Sequence, residues 1–392
     1  MQQPLSEMLE VLACPETGET LELVTRQQAE ADLGAPLGLL RTPDERSSDL
    51  EAHFGMVTHI LRRKDHQAAY AIVDNIPILI TPEQIGPVTQ HRPFNLKDPR
   101  YAEAYAEMEH YNQVSDNLVR EITHSDSYAH VARVQQASPV ERASFPAPPQ
   151  VWLDAIYDSA SQWDAYLHIA PLSGMRVMQL GGQGIHAVKF LVGGAEQAWL
   201  VTPMLAEARF AVSLAAAFGV EARLRCVVSI AEELPLQDAT FDVVYSGGCV
   251  HHMVTSLALP EAARVLKDGG RFAAIEPWRA PFYSLGTRVF GKREANVFCR
   301  PLDPQRIAPL KTAFGWSNTV QHGTFVRYLL IALKKLGVKL SLMTVWRLIR
   351  IDDGLSSLVP GLRRLGSSIA LLGTKLSTVQ QTAPTRIEKE SL

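Results

Sequence analysis

Three groups of residues in the middle of the chain combine chemical types that could bind or transform a ligand. The first group is the glycine-rich segment 179–185 (QLGGQGI), which follows a short apolar run. Glycines at such a turn let a ligand approach the backbone closely, and a following helix presents unpaired amide groups. A tight turn that needs glycine only for its shape produces the same pattern, so this segment alone is a weak signal.

The second group is the pair His251 and His252, and the third is Glu276; each group follows an apolar run that is typical of a buried strand. Imidazole titrates near neutral pH, so either histidine could act as a general base toward an acceptor molecule. Packing or capping at a strand end is the alternative for the histidines, and an ion pair with Arg279 is the alternative for Glu276. The histidines lack the companion residues of a metal site, so we expect no bound metal.

The overall composition excludes several classes of protein. The chain has 392 residues, of which 46% are hydrophobic and 20% are charged, and this rules out general disorder. Its 38 basic and 41 acidic residues lack the basic surplus that nucleic-acid binding needs. The four cysteines form no CxxC pair, the N-terminus lacks a signal-peptide pattern, and no apolar run is long enough for a transmembrane helix. We therefore expect a cytoplasmic protein with no nucleic-acid partner.

The elements that must position the three groups alternate between strands and helices after about residue 151. The sequence predicts an amphipathic helix at 152–169, followed by short apolar strands at 176–180, 198–201, 224–228, 241–246 and 271–275. The strands are separated by helices predicted at 186–192, 204–218 and 256–266. This alternation predicts an α/β fold with a doubly wound, mostly parallel sheet and helices on both faces. Ligands bind such sheets at the carboxyl ends of the strands, where all three groups fall.

The motifs of this region resemble those of the class I S-adenosylmethionine-dependent methyltransferases, in particular the methyltransferase type 11-like group. The resemblance covers about residues 170–280, and its specific part runs from Glu232 to Glu276 with AEELP, FDVV, HH and EAARVLKDGG in order. It implies a Rossmann-like methyltransferase fold and a transferase that uses S-adenosylmethionine as its cofactor. The implied acceptor is a small molecule, a sugar or a lipid-linked compound.

The resemblance also implies roles for individual residues. The glycine turn, with Gly181, Gly182 and Gly184, would lie against the methionine part of the cofactor. The resemblance further implies that the catalytic residues, which would face the acceptor, are His251, His252 and Glu276.

The chain departs from this family where the cofactor is held by acids. The three positions carry Gln179 at the methionine end, Thr202 near the ribose, and Ile230, followed by Ala231, near the adenine. A carboxylate contributes about 1.5–3 kcal/mol per hydrogen bond, so losing two or three bonds would weaken binding about a hundredfold or more. Two hypotheses stay open: an active methyltransferase whose cofactor is held by substitute groups, or a non-catalytic protein that keeps the fold as a binding partner or scaffold.

Residues 1–81 are expected to form a small α+β module of their own. Cys14-Pro15 and the segment 72–77 resemble a zinc-ribbon-like module often placed beside such methyltransferases, but Thr17 replaces the second cysteine of the usual pair. We therefore expect a degenerate, metal-free relative that contacts a protein partner or serves as a scaffold. Asp74-Asn75 between two apolar runs predicts a hairpin turn.

The complete predicted organisation has a module at 1–81, a linker with a helix at 82–150, the methyltransferase core at 151–300, a C-terminal completion of the sheet at 301–376 and a flexible tail at 377–392. A basic helical insertion, 327–366, carries eight basic and two acidic residues. Such a segment would suit a solvated charged face, a lid over the acceptor pocket, or peripheral contact with an anionic membrane.

Overall fold

A computed structural model describes residues 5–33, 59–65, 68–80, 102–280, 301–359 and 361–377 of the chain. The predicted linker before residue 102 and the predicted tail after residue 377 lie outside the described residues. Within the described residues, an antiparallel sheet of four strands near the N-terminus is followed by a mixed sheet of seven strands.

The bounds of the elements are as follows. The strands are β1 (Leu21–Thr25), β2 (His59–Arg63), β3 (Ala69–Val73), β4 (Ile76–Pro77), β5 (Arg176–Leu180), β6 (Gln197–Thr202), β7 (Leu224–Val228), β8 (Phe241–Gly247), β9 (Leu266–Pro277), β10 (Trp316–His322) and β11 (Ser368–Thr374). The helices are α1 (Leu5–Met8), α2 (Arg26–Leu33), α3 (Ala102–Arg120), α4 (Asp126–Gln136), α5 (Pro139–Ala143), α6 (Pro149–Trp152), α7 (Ser159–Ile169), α8 (Ile185–Val192), α9 (Leu205–Ala217), α10 (Thr255–Val265), α11 (Pro304–Ala313), α12 (Val326–Lys335) and α13 (Leu342–Ser357).

The large sheet has the strand order β10-β11-β9-β8-β5-β6-β7. The five strands from β9 to β7 pair in parallel, whereas β11 runs antiparallel to both β9 and β10. The chain leaves β5 toward one edge through β6 and β7, and then returns to β8 on the other side of β5. This arrangement confirms the predicted doubly wound fold, and the change of direction opens a crevice at the carboxyl ends of β5 and β8.

Helices cover both faces of the large sheet because its central strands are apolar on both sides. On one face, α8 and α9 contribute Phe190, Phe210 and Leu214 to a buried cluster. On the other face, α10 contributes Leu259 and packs together with residues of the N-terminal module. Burial on both faces is typical of parallel sheets and explains why their strands read as continuous apolar runs.

The N-terminal module extends the β7 edge of the large sheet. The amide of Leu79 donates to the carbonyl oxygen of Val228 at 2.8 Å, and the hydroxyl of Ser229 donates to the carbonyl oxygen of Leu79 at 2.9 Å. Arg225 on β7 pairs with Glu7 at 2.6 Å. The module thereby covers backbone groups that an exposed edge strand would leave unpaired, and its chain ends beside the loop after β7.

Inside this module, the predicted hairpin is confirmed, since Asp74 and Asn75 form the turn between β3 and β4 with positive φ angles. Cys14 is buried, and its thiol sulfur lies 3.3 Å from the hydroxyl of Tyr70. In the part of the chain that the structure describes, no cluster of His, Cys, Asp and Glu side chains is arranged to hold a metal ion. The same part contains no helix that is long and apolar enough to cross a membrane.

The single helix predicted at 152–169 is wrong, because the chain breaks between α6 and α7. Leu153 is extended, and the amides of Asp154 and Ala155 donate to the side-chain oxygen of Gln162 at 2.9 and 3.0 Å. The side chain of a residue in the following helix thus takes the place of helical carbonyl acceptors. The break turns the Asp154 carboxylate toward α8 and the base of the glycine turn.

His322, the last residue of β10, fastens two helices to the edge of the sheet. Its ring is buried, with Nδ1 lying 2.6 Å from the carboxylate of Asp353 in α13 and Nε2 lying 3.2 Å from that of Asp164 in α7. Burial by itself lowers the pKa of the imidazole, but hydrogen bonds to the two carboxylates outweigh burial and raise the pKa of His322 above its usual value.

We expect the stabilising contribution of His322 to disappear as the pH rises above neutrality, so that the protein becomes less stable. A group whose pKa is raised on folding stabilises fully below its unfolded pKa, about 6.5 for histidine, and this stabilisation is lost as the pH passes the folded value. Urea unfolding between about pH 6 and pH 9 measures the free energy of unfolding. We expect this free energy to fall with rising pH in the wild type and to fall less steeply in His322→Asn.

The difference between the two proteins isolates His322 in this pH range. The other described histidines with a resolved shift have lowered pKa values and change their contribution at lower pH; they are His130, His168, His186 and His252. If the free energy of unfolding depended on pH equally in the wild type and in His322→Asn, His322 would not be the group that causes this loss of stability.

Candidate active site

The glycine-rich segment forms the turn between β5 and α8, at the carboxyl end of the central strand. Gly181, Gly182 and Gly184 have φ angles of +78°, +76° and +77°, which side chains rarely tolerate. A Cβ at Gly184 would lie 2.5 Å from the Cβ of Ala211 in α9, and one at Gly181 would lie 2.7 Å from the Cβ of Cys249. The glycines are therefore required by the backbone conformation and by the closeness of the neighbouring elements.

Gln179 fixes this turn from inside. Its side chain is buried, its Nε2 donates to the carbonyl oxygen of Gly181 at 2.9 Å, and its Oε1 accepts from the amide of Ala187 at 2.8 Å. A carboxylate at this position could accept a hydrogen bond but could not donate one to Gly181. The amide of Gln179, at the position where the resemblance implies an acid, therefore shapes the turn.

A carboxylate from α9 lies at the end of β6. Thr202 donates its hydroxyl hydrogen to Oε2 of Glu207, and both side chains are buried. Glu207 belongs to the first turn of α9, where the helix amides favour negative charge. The sequence did not single out Glu207, because acids are common in a first helical turn whatever their function. Its only signal was an acid five residues after the position that the resemblance assigns to the ribose.

The loop after β7 forms an apolar side of the crevice and is tied to the loop after β8. Ile230 and Ala231 are nearly buried, with 4% and 6% of their surface exposed. Glu232 accepts from the amide of Val254 at 2.8 Å, and burial raises the pKa of its carboxyl to about 7. This contact holds the two loops together across the end of the sheet.

Glu276, at the end of β9, organises the turn that carries the two histidines. Its Oε1 accepts from the amide of Val250 at 2.7 Å, and its Oε2 lies 2.7 Å from Nδ1 of His251. Glu276 is 1% exposed, whereas the side chain of His251 keeps 15% of its surface accessible. A carboxylate that binds Nδ1 sets the tautomer in which Nε2 is free to accept a proton.

His252 contributes to the same turn as a neutral aromatic ring. Its ring centroid lies 3.9 Å from that of His251, and burial, His251 and Arg306 lower its pKa to about 3. Arg306, from α11, donates to the carbonyl oxygens of His251 and Met253 at 2.7 and 3.2 Å. Hydrogen bonds from Glu276 and from Arg306 therefore both hold this turn in place.

A buried polar network supports the helix that follows the glycine turn. In α8, Nζ of Lys189 donates to the Asp154 carboxylate and to the Trp152 carbonyl, both at 2.5 Å, and lies 3.2 Å from the Tyr166 hydroxyl. That hydroxyl lies 2.8 Å from Nδ1 of His186, also in α8, whose pKa burial lowers to about 4. The network fixes α8 against α7 and against the segment between α6 and α7.

The structure places the residues predicted from the sequence along one edge of the sheet, in two groups. The glycine turn stands in the middle, with Thr202 and Ile230 on the side of β6 and β7. On the side of β8 and β9, Glu276 joins His251 and His252. The predicted cofactor residues and the predicted catalytic residues thus flank the same central turn.

Part of the chain is similar in sequence to known methyltransferases. Residues 183–274 match the family described as Methyltransferase domain. The ubiquinone/menaquinone biosynthesis C-methyltransferase UbiE of Rubrivivax gelatinosus is 36% identical over 122 residues, which are 30% of this chain and 47% of that protein. The UbiE protein of a Ruegeria species is 36% identical over 133 residues, covering 32% of this chain and 48% of the relative.

The solved structure of geranyl diphosphate C-methyltransferase from Streptomyces coelicolor is similar over 65% of this chain and 99% of its own, with a TM-score of 0.39 and 15% identity. The alignments to the two UbiE proteins span about half of those relatives' lengths. The matched segment contains the end of the glycine turn, Glu207 and the histidine pair. Residues 183–274 are therefore similar in sequence to a methyltransferase domain.

Proposed function

We propose that the protein transfers a methyl group from S-adenosylmethionine to a small acceptor molecule. The observation that carries this proposal is the buried carboxylate of Glu207 at the end of β6, beside the glycine turn. Glu207 supplies a carboxylate near Thr202, the position at which the resemblance implies an acid that binds the ribose. The cofactor would therefore be held by a substitute group, as the first of the two hypotheses requires.

The residues around the crevice fit this cofactor chemically. The backbone of the glycine turn can approach the methionine part, and Glu207 can accept hydrogen bonds from ribose hydroxyls. Ile230 and Ala231 offer an apolar surface of the kind on which a planar base packs. When bound, S-adenosylmethionine supplies a methyl group on a positively charged sulfur. The buried carboxylates of Glu207 and Glu276 give the crevice a sign of charge that suits such a ligand.

His251 is the residue that we propose to take a proton from the acceptor. Its Nδ1 faces Glu276, so Nε2 is the nitrogen that can receive the proton. The buried carboxylate of Glu276 would stabilise the imidazolium that forms and would hold the ring in place. The neutral ring of His252 would restrict the orientation of His251 through their contact.

The names of two relatives give the acceptor class that we propose to test first. Both are described as C-methyltransferases of ubiquinone and menaquinone biosynthesis. A hydroquinone ring carries acidic hydroxyl groups, and removal of a hydroxyl proton makes the neighbouring ring carbon a nucleophile. A base such as His251 would assist this step, so hydroquinones with a lipid-like side chain are the acceptors that fit the proposed chemistry.

The first prediction concerns Glu207. We expect Glu207→Gln to bind S-adenosylhomocysteine at least about tenfold more weakly than the wild type, because charge-assisted hydrogen bonds contribute about 1.5–3 kcal/mol each. Isothermal titration calorimetry measures this difference. Adding Thr202→Asp to the variant should recover part of the affinity, since it returns a carboxylate to the same end of β6.

Glu196→Gln is the matched control, because Glu196 is exposed and lies before the amino end of the same strand. Unchanged affinity in Glu207→Gln would contradict the proposed role of this carboxylate. A wild-type protein without affinity for the ligand would favour the non-catalytic alternative.

The second prediction concerns Glu276. We expect Glu276→Gln and His251→Asn each to reduce methyl transfer about a hundredfold or more, because general-base catalysis contributes factors of this size. The assay follows the transfer of label from S-adenosylmethionine to a panel of short-chain hydroquinones. S-adenosylhomocysteine should bind both variants as it binds the wild type. Full activity in His251→Asn would exclude this histidine as the base.

A further inference from the structure

Helix α13 exposes a row of large apolar side chains to solvent. Its inner face packs Val345 and Ile349 against Leu330 and Ala160. The outer residues recur at positions i, i+4, i+7 and i+8, so they lie on one face of the helix and its C-terminal extension. They are Ile351, Leu355, Leu358 and Val359, which are 59%, 62%, 76% and 54% exposed.

The two acids of this region are turned inward. Asp352 accepts from the amides of Phe325 and Val326 at the start of α12, and Asp353 binds His322 and the amide of Gly323. Both carboxylates are buried, with 3% and 5% of each residue exposed. These contacts anchor α13 firmly and remove the only negative side chains of segment 326–366 from the surface.

Arginines flank the apolar row on both sides. Arg347 lies one helical turn before Ile351 on nearly the same face, and Arg350 precedes Ile351 directly; both are exposed. Arg350 also contacts Asp164 at 3.4 Å. After the row, Arg364 is exposed as well. Within 347–359 and 361–364, every exposed charged side chain is therefore basic, and Asp164 of α7 is the acidic neighbour of Arg350.

We propose that this surface, formed by residues 347–359 and 361–364, docks on an anionic lipid membrane. Leucine and isoleucine side chains would enter the boundary of the acyl chains, while the arginines would contact the lipid phosphates. The charge pattern favours lipid over a second copy of the chain, because a twofold contact would bring the same arginines of both copies together. An exposed apolar row of this kind is typical of an interaction site rather than of a solvated helix.

Co-sedimentation of the full-length protein with lipid vesicles tests the proposal. We expect the wild type to bind vesicles that contain phosphatidylglycerol more strongly than vesicles of phosphatidylcholine alone, and to dissociate as the salt concentration rises. Leu355→Asn combined with Leu358→Asn should lower the partition coefficient about tenfold or more, since two apolar side chains no longer leave water. Val140→Asn, which changes an exposed apolar residue of α5, is the matched control.

A second variant tests the charge separately. Arg347→Gln combined with Arg364→Gln should weaken binding to phosphatidylglycerol vesicles about 25-fold, because each basic residue near an anionic surface contributes about fivefold. Arg120→Gln, at the exposed end of α3, is the control that removes one positive charge away from this surface. These substitutions lie on the surface, so both double variants should unfold at the same urea concentration as the wild type.

Three results would overturn the proposal: a wild type that does not sediment with phosphatidylglycerol vesicles, equal sedimentation of the wild type and both double variants, or a wild-type dimer that Leu355→Asn dissociates. The last result would show that a second copy covers the row. Affinity for S-adenosylhomocysteine should be the same in all these proteins. Failure of membrane binding and failure of the proposed methyl transfer are thus observed in separate measurements.

Discussion

The buried ammonium of Lys189 holds together the segments that frame the crevice. It binds Asp154 in the break after α6 and the hydroxyl of Tyr166 in α7, while its own helix α8 begins directly after the glycine turn. An ion pair this deep persists only when each charge keeps its partner, and removing one partner from such a pair costs about 3–5 kcal/mol. Burial alone would raise the pKa of the Asp154 carboxyl, but Lys189 lowers it below its usual range, whereas burial lowers the pKa of the Lys189 ammonium in spite of Asp154. The pair thereby ties α8, the helix that follows the glycine turn, to α7 and to the segment before α7.

From that fixed turn, the sheet divides the chemistry between its two halves. Parallel strands all end at the same edge, so the loops after β6 and β7 supply the groups proposed for the cofactor. The loops after β8 and β9 supply the proposed base and its partner carboxylate. Cys249 and Val254 lie where the halves meet, one against Gly181 and the other bound to Glu232. These contacts therefore join the two halves at the carboxyl edge of the sheet.

The sequence predicted the parts of this arrangement that depend on local pattern. The strands were recognisable as apolar runs because both faces of the sheet are covered, and the glycine turn because three positive φ angles require glycine. Long-range contacts gave no such signal. Glu207 was missed because its carboxylate reaches back to Thr202 from the next helix, and the break at Leu153 was missed because Gln162, in the following helix, binds the freed amides. Whether Asp352 and Asp353 face inward depends on β10 and α12, which no pattern within α13 reveals.

We propose that S-adenosylmethionine binds at the end of β6 through a carboxylate from α9, although β6 lacks the acid that the resemblance implies there. A crystal structure of the protein with S-adenosylhomocysteine tests it most directly. We expect the ribose hydroxyls within hydrogen-bonding distance of the Glu207 carboxylate, with the amino-acid part of the ligand along the backbone of Gly181 and Gly182. A ligand bound elsewhere, or a ribose whose hydroxyls contact other residues and not Glu207, would contradict this mode of binding.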